Sequence, residues 1–168
     1  MNNSVIKHIV WFVLFILLQV LIFNNIKLFG YINPYIYIAF VFYYPLKKEK
    51  GTFLFLSFLL GLCIDFFSDT GGINAAATLF IAYVRLPVLS AILRKNDFDF
   101  LLFNIRAISF GKSFLYILSL TFIHHLILFT LDYFSLNEFG SIINKTIVTT
   151  VLTVFLIFIG IILFTKKR

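Results

Sequence analysis

Long apolar runs separated by short polar segments are the main pattern of the chain. A helix rises about 1.5 Å per residue and the hydrocarbon core of a bilayer is about 30 Å thick, so about 20 apolar residues cross it. The last three runs approach this length, whereas the first three are shorter and need flanking aromatic residues or local thinning of the bilayer. The pattern predicts six transmembrane helices, in the runs Ile9–Phe23, Ile32–Leu46, Phe53–Phe67, Ile73–Leu93, Phe114–Leu131 and Ile142–Phe164.

Local sequence signals mark three places along these runs. Asn33 followed by Pro34 is typical of a helix start, with asparagine as the N-cap and proline at the first helical position. Ser68–Gly72 predicts a tight turn, because its side-chain oxygens cap helix ends and glycine tolerates positive φ. The third and fourth runs should therefore form a close hairpin. Pro87 lies inside the fourth run, which it should bend, freeing a carbonyl near Tyr83.

Basic residues cluster at alternate ends of the runs. Eleven of the 14 fall on one side of the predicted topology, whereas Lys27 and Lys145 fall on the other and Arg85 lies within a run. Cytoplasmic segments carry an excess of lysine and arginine, so both termini are predicted to lie in the cytoplasm, which requires an even number of spans. No small-residue cleavage site follows Lys7, so the first run is predicted to be an uncleaved helix. The eleven residues are Lys7, Lys47, Lys48, Lys50, Arg94, Lys95, Arg106, Lys112, Lys166, Lys167 and Arg168.

The longest polar stretch between runs, from residue 94 to 112, has a pattern of its own. Its apolar residues recur at helical spacing, while its charged residues fall elsewhere on the helical wheel. This favours a short amphipathic helix around 97–109, lying on the cytoplasmic face of the membrane. The alternative is a broken extension of the neighbouring spans. Because there is no internal repeat, residues 1–168 are predicted to form a single transmembrane domain.

Composition excludes a soluble protein. Hydrophobic residues make up 61% of the 168 residues and charged residues only 12%, with a mean hydropathy of +1.03, whereas a soluble domain needs a largely polar shell. The net charge of +7 does not indicate nucleic-acid binding, because the basic residues lie between apolar runs and not along one face. Cys63 is the single cysteine, which leaves no disulfide framework and no zinc-ligand spacing.

Small and polar residues form matching stripes on the third and fourth runs. Such stripes allow two helix backbones to approach closely in a membrane. The hairpin is therefore predicted to be the most tightly packed unit. The stripes are Ser57, Gly61 and Asp65 on one run and Ala75, Thr78 and Ala82 on the other.

Asp65 has two interpretations. As a functional residue it would be a proton or cation site, or a contact for a periplasmic partner, because charged groups within spans are costly and usually face other helices or water. As a structural residue it would cap the turn and the start of the fourth helix, to which Asn74 is close in sequence. The sequence alone leaves both open.

Arg85 also has two interpretations. Counting residues along the helices places it at the depth of several polar residues of other runs, so it is predicted to centre a buried polar layer that uses the carbonyl freed by Pro87. The alternative is that its side chain reaches the cytoplasmic headgroups. An ion pair with Asp65 is excluded by depth, about 15 Å along the axis. The expected members of the layer are Gln19, His124 or His125, and Thr149 or Thr153.

The adjacent His124 and His125 do not have metal-binding spacing. Their rings point about 100° apart on a helix, whereas helical metal sites use residues four apart. They are predicted to pack or to form hydrogen bonds. The chain also lacks a glycine-rich phosphate loop and a nucleophile with an obvious base. No catalytic, cofactor-binding or metal-binding residue is predicted, and the protein is not expected to be an enzyme.

Short motifs occur along almost the whole chain. They are Leu18–Asn24, Leu28–Gly30, Pro34–Tyr37, Gly61–Asp65 and Gly72–Thr78, followed by Arg85 and Pro87. Together they resemble the bacterial rod-shape-determining MreD family, particularly its Bacteroidota versions. The Gly-Leu-x-x-Asp hairpin is the distinctive part, and the chain departs from the family pattern at Leu86, which separates Arg85 from Pro87.

The resemblance implies a non-enzymatic scaffold subunit of the cell-elongation (rod) complex, or elongasome, in the bacterial inner membrane. Such proteins bind MreC and thereby couple MreB filaments to the glycosyltransferase and transpeptidase of lateral peptidoglycan synthesis, which sets cell shape. Membrane lipid is the other expected partner. The candidate structural or partner-contact residues are Ser57, Gly61, Asp65, Gly72, Asn74, Ala75, Arg85, Pro87, His124 and His125.

Two other functions stay open. MreD proteins are similar in fold to the vitamin-binding components of energy-coupling-factor transporters, which also have six helices, so a small-molecule-binding component is the main alternative. The short predicted outer loops, at about 24–31, 68–72 and 132–141, argue against a lidded vitamin site. A lipid-handling or proton-relay protein that uses Asp65 and the histidines is the third possibility.

Overall fold

The computed structural model describes residues 3–26, 32–46, 50–94, 108–134 and 136–163, and this part of the chain is mostly helical. Wider π turns (Leu18–Ile22) and a 3₁₀ turn (Phe23–Asn25) extend α1. A 3₁₀ turn (Ile36–Ile38) leads into α2, and another (Leu136–Glu138) precedes α6. The helices are α1 (Asn3–Leu17), α2 (Ala39–Tyr43), α3 (Gly51–Ser68), α4 (Ile73–Leu93), α5 (Phe110–Tyr133) and α6 (Phe139–Leu163).

Five of the helices in the described residues are long and apolar enough to cross a membrane. They are Ile6–Asn25, which is α1 with its extension, together with α3, α4, α5 and α6, and they contain 18 to 25 residues each. Much of their apolar surface faces outward, as expected where lipid and not water surrounds a bundle. The multi-pass character predicted from the sequence is confirmed at this level.

The second predicted span does not form a span-length helix. Within Ile32–Leu46, hereafter the central segment, only the eight residues of the 3₁₀ turn and α2 are helical, about 13 Å of rise. The predicted start at Asn33 and Pro34 is wrong, because Tyr35 is still non-helical with φ −103° and ψ 75°. The helix ends before Tyr44, whose ψ of 131° is the extended conformation favoured before a proline, here Pro45.

The five long helices surround the central segment. Residues 36–42 are at most 9% exposed, and Tyr37, Ile38 and Val41 are fully buried. Each long helix supplies at least one contact, so the segment forms the core of the bundle. The contacts are Phe12 with Phe40 for α1, Phe53 with Tyr44 for α3, Asn74 with Tyr37 for α4, Tyr116 with Phe42 for α5, and Thr153 with Tyr35 for α6.

The central segment runs antiparallel to α1. Gln19 contacts Pro34 near the end of α1, and the ring of His8 near its start contacts that of Tyr44, with centroids 4.9 Å apart. The amide of Asn24 donates to Ser68 Oγ at 2.8 Å, which joins the C-terminal ends of α1 and α3. These two helices therefore run in the same direction, because the segment between them returns the chain to its starting side.

The later helices also alternate in direction. The start of α4 packs against the end of α5 through Ala77 and Leu128. Phe110 at the start of α5 contacts Phe158 near the end of α6, with centroids 5.5 Å apart. The start of α1 and the end of α6 consequently lie at the same end of the bundle.

Two further predictions concern segments near α4. α4 continues through Pro87 to Leu93, so the proline does not end the helix, and the predicted bend stays a prediction. The predicted amphipathic helix at 97–109 lies outside the described residues except for Ile108 and Ser109, which are not helical.

Candidate functional site

The α3–α4 hairpin depends on a glycine at its crossing point. A Cβ atom on Gly61 would lie 2.5 Å from both the Ala75 Cα atom and the Asn74 carbonyl oxygen. These are backbone atoms that cannot move independently of α4, so only glycine fits. The other stripe residues are buried as well, Ser57 completely, and the predicted close approach is confirmed.

Asp65 caps the start of α4. Its Oδ1 accepts hydrogen bonds from Asn74 N at 2.9 Å, Asn74 Nδ2 at 3.0 Å and Thr70 Oγ1 at 2.6 Å, and its Oδ2 accepts one from Ala75 N at 2.8 Å. The carboxylate is 5% exposed and faces a helix N-terminus, where unpaired N–H groups and the helix dipole stabilise an anion. The geometry is that of the structural cap.

Positive φ angles allow the turn that brings Asp65 to this position. Asp69 has φ 54° at the end of α3, and Gly71 and Gly72 have φ 61° and 97°. Glycine adopts these angles without a steric penalty. Gly72 therefore supports the cap through backbone conformation, and a Cβ atom there would meet no other atom within 4 Å.

Asn74 connects the cap to the central segment. Its Oδ1 accepts a hydrogen bond from Tyr37 OH at 2.9 Å, and Tyr37 OH also lies 3.0 Å from His124 Nε2. Thr78 donates to the Asn74 carbonyl at 2.7 Å. All four side chains are at most 3% exposed.

The donors of this network determine the tautomer of His124. A phenol has one proton, and Tyr37 donates it to Asn74, whose amide group already faces Asp65. His124 Nε2 must then donate to the Tyr37 oxygen, so the neutral ring carries its proton on Nε2. Its Nδ1 is left as a buried acceptor with no hydrogen-bond partner among the described residues.

Gln19 binds the non-helical start of the central segment. Its amide nitrogen donates to the Pro34 carbonyl at 3.1 Å and to Asn24 Oδ1 at 2.9 Å, and its Oε1 accepts from Tyr37 N at 3.3 Å. Gln19 is fully buried within the wide turns of α1. The side chain thus supplies hydrogen bonds that the segment does not make internally, as buried backbone groups require.

Arg85 binds the C-terminal end of α2, which differs from its predicted place in a layer with Gln19 and the histidines. Its Nη1 donates to the carbonyls of Val41 at 2.6 Å and Tyr44 at 3.1 Å, and its Nη2 donates to that of Pro45 at 3.0 Å. These carbonyls are unpaired because Pro45 stops the helix. The carbonyl groups that accept from Arg85 thus belong to the central segment and not to the backbone before Pro87.

The charge of Arg85 is balanced by dipoles and an aromatic ring. Its guanidinium lies 3.9 Å from the centre of the Phe53 ring, and the residue is 3% exposed, so it does not reach the headgroups. Elsewhere in the described residues, Lys145 forms an ion pair with Asp132. A cation at the C-terminal end of a helix is stabilised by the helix dipole.

The two histidines diverge, as their adjacent positions predict. His125 Nδ1 lies 3.0 Å from Thr150 Oγ1 on α6, whereas His124 faces Tyr37. In the part of the chain that the structure describes, no group of three or more His, Cys, Asp or Glu side chains is placed to hold a metal ion.

A buried threonine stripe on α6 completes the polar interior. Thr153, one of the expected polar residues, accepts a hydrogen bond from Tyr35 N at 3.2 Å. Thr146 and Thr150 were not predicted, although their helical spacing is visible in the sequence. Several buried polar atoms of this interior have no partner among the described atoms. They are Asn33 Oδ1, Ser57 Oγ, Thr121 Oγ1, His124 Nδ1, His125 Nε2, Thr146 Oγ1 and Thr149 Oγ1.

The buried polar groups together hold the central segment in place. Asp65, Asn74 and Tyr37 fix its start to α4, Gln19 fixes it to α1, and Arg85 fixes its end. The arrangement is chemically suited to locking a non-helical segment within a membrane bundle. The chain matches no protein-family model, no curated protein and no solved structure.

Proposed function

We propose that this protein is a non-enzymatic scaffold subunit of the bacterial cell-elongation complex, of the MreD type, which binds MreC in the inner membrane. The main support is that the hairpin, the distinctive part of the resemblance, forms one structural unit. Gly61 permits the contact with Ala75, and Asp65 caps the helix that begins at Ile73. The hairpin motif therefore has a physical role in this chain.

The proposed topology has six crossings with both termini in the cytoplasm. Antiparallel contacts support a crossing by the central segment, although most of that segment is not a regular helix. At the bundle end where α1 begins and α6 ends, the described charged residues are Lys7, Lys50, Arg94 and Lys112, all exposed. At the other end the exposed charges include Asp69, Asp132 and Glu138. This asymmetry favours a cytoplasmic position for the basic end. A fold like that of energy-coupling-factor binding components is part of the same proposal.

A scaffold role fits the division between the interior and the surface. The polar interior positions the central segment, while the outer faces of α1 and α3 present exposed apolar side chains, including Leu17, Leu21, Phe55 and Phe66. Transmembrane partners bind such faces by close packing within the bilayer. We infer that MreC binds an outer face, and that MreB and the peptidoglycan-synthesising enzymes are reached through it.

Co-purification tests this proposal. The tagged full-length protein, expressed in its own host, is expected to retain an MreC-like protein through mild detergent extraction, and its depletion should round the cells. In depleted cells, Gly61→Ala should neither retain the MreC-like protein nor restore rod shape, whereas the matched control Gly160→Ala should do both. Rod-shaped depleted cells without a retained MreC-like protein would contradict the proposal. A stoichiometric vitamin in the purified protein would instead favour the transporter alternative.

A further inference from the structure

A cavity lies at the end of the bundle where α5 meets α6. Its volume is about 230 Å³, and it is lined by Tyr133, Ser141, Asn144, Lys145 and Val148. A water molecule occupies about 30 Å³ of liquid, so the cavity has room for several heavy atoms of a polar group. The cavity is separate from the network around the central segment, and the sequence did not indicate it.

The charges around this cavity have both signs. The ammonium group of Lys145 lies 3.6 Å from Asp132 Oδ2 and above the rings of Phe129 and Tyr133, at 4.7 and 5.2 Å from their centres. Ser141 donates to the Glu138 carboxylate at 2.9 Å. Lys145 is therefore the cation of the lining, and two carboxylates that do not line the cavity each contact a lining residue.

This charge pattern restricts the ligand. A simple anion would meet two carboxylates, and a simple cation would meet Lys145, so each carries a repulsive contact. A ligand with a phosphate and an ammonium group has a favourable partner for each. The three donors of the lysine ammonium let it bind a phosphate while it stays near Asp132.

The position of the cavity indicates a lipid. It lies where two membrane-length helices end, and Phe134 and Phe139 beside it are 88% and 61% exposed. From Asn144, an exposed apolar stripe continues along the same face of α6 through Ile147, Val151 and Phe155. A molecule with its polar group in the cavity would have an apolar surface beneath it for an acyl chain.

We propose that this cavity binds the headgroup of a phospholipid that carries a primary amine, of the phosphatidylethanolamine class. The phosphate accepts hydrogen bonds from Lys145 and Asn144. The ammonium group donates to Asp132 and Glu138. The acyl chain lies along the exposed stripe of α6.

Native mass spectrometry of the delipidated full-length protein tests this. Phosphatidylethanolamine, phosphatidylglycerol and phosphatidylcholine with identical acyl chains are added in equal amounts. The first should be retained about tenfold better than the others, since charge-assisted hydrogen bonds distinguish them. Lys145→Gln should lose that preference, and Lys112→Gln, which changes an exposed lysine at the opposite end of α5, should keep it. Circular dichroism must show both variants folded.

A charge-neutralising variant makes the test sharper. With Asp132→Asn and Glu138→Gln combined, the site retains one cation and should then prefer phosphatidylglycerol, because the anionic headgroup no longer meets carboxylates. Equal retention of the three lipids by the unmodified protein would overturn the proposal. Competition by soluble phosphoethanolamine at the concentration of the lipid would also overturn it, because the ligand would then be a soluble molecule.

Discussion

Replacing Gly61 with alanine tests the hairpin directly. The added Cβ atom would lie 2.5 Å from Ala75 Cα, whereas carbon atoms at optimal contact are about 3.5–4.0 Å apart, so α3 and α4 must separate by about 1 Å. Overpacking of this kind costs about 1–3 kcal/mol. The shift also disturbs the hydrogen bonds of Asp65 to Asn74 and Ala75, and loss of one such charged bond costs about 1.5–3 kcal/mol.

A smaller effect opposes this loss. Alanine is a better helix former than glycine by about 0.8–1 kcal/mol. The net expectation for Gly61→Ala is a free energy of unfolding lowered by about 2–5 kcal/mol. Gly160→Ala on α6 is the matched control, because it is also a helical glycine but its Cβ atom would meet no atom within 4 Å. It should be neutral or slightly stabilising.

Reversible unfolding of the full-length protein in mixed micelles, followed by circular dichroism, measures both variants. We expect a clear difference between the free energies of unfolding of the two variants. If the free energies of unfolding of Gly61→Ala and Gly160→Ala agreed within about 0.5 kcal/mol, the close contact with the Ala75 backbone would not exist in the folded protein.

Three further predictions use the same assay. Asp65→Asn should lower the free energy of unfolding by about 2–3 kcal/mol, because the new NH₂ group is a donor and cannot accept hydrogen bonds from the backbone N–H groups of α4. The control Asp69→Asn, at an exposed position, should change it by less than about 0.5 kcal/mol. Arg85→Leu should cost about 3 kcal/mol or more, because three buried carbonyls lose their donor, and a stable variant would contradict the helix-end role. Thr146→Val should be neutral or stabilising by up to about 1 kcal/mol, because its hydroxyl has no partner among the described residues, whereas Thr78→Val should be destabilising by a similar amount.

The hairpin was predictable because its determinants are local. The stretch from Ser57 to Ala75 contains all of them. They are small residues at four-residue spacing, a turn with two glycines, and a carboxylate one helical turn before that turn. Each of these features acts on its near neighbours in sequence, so the contact at Gly61 and the cap by Asp65 follow without knowledge of the rest of the fold.

The central segment was not predictable from hydropathy. A helix facing lipid and a segment enclosed by other helices are both apolar, so the pattern assigns them alike. Pro45 was the available signal, since the residue before a proline favours an extended conformation. The partners of Arg85 were also hidden, because they are backbone carbonyls that become available only where α2 ends.

The two buried charges show how the bundle accommodates polar groups without a buried salt bridge between them. Asp65 faces the N-terminal end of α4, and Arg85 faces the C-terminal end of α2, so each charge meets the helix end of opposite sign. The burial of Asp65 and Arg85 therefore depends on the correct position of these backbone segments. Substitution of either residue should lower the stability of the bundle before it changes the outer surface that a partner would bind. An effect on partner binding identifies a contact residue only if the variant protein stays folded, which favours exposed positions such as Phe55 and Phe66 for mapping a partner.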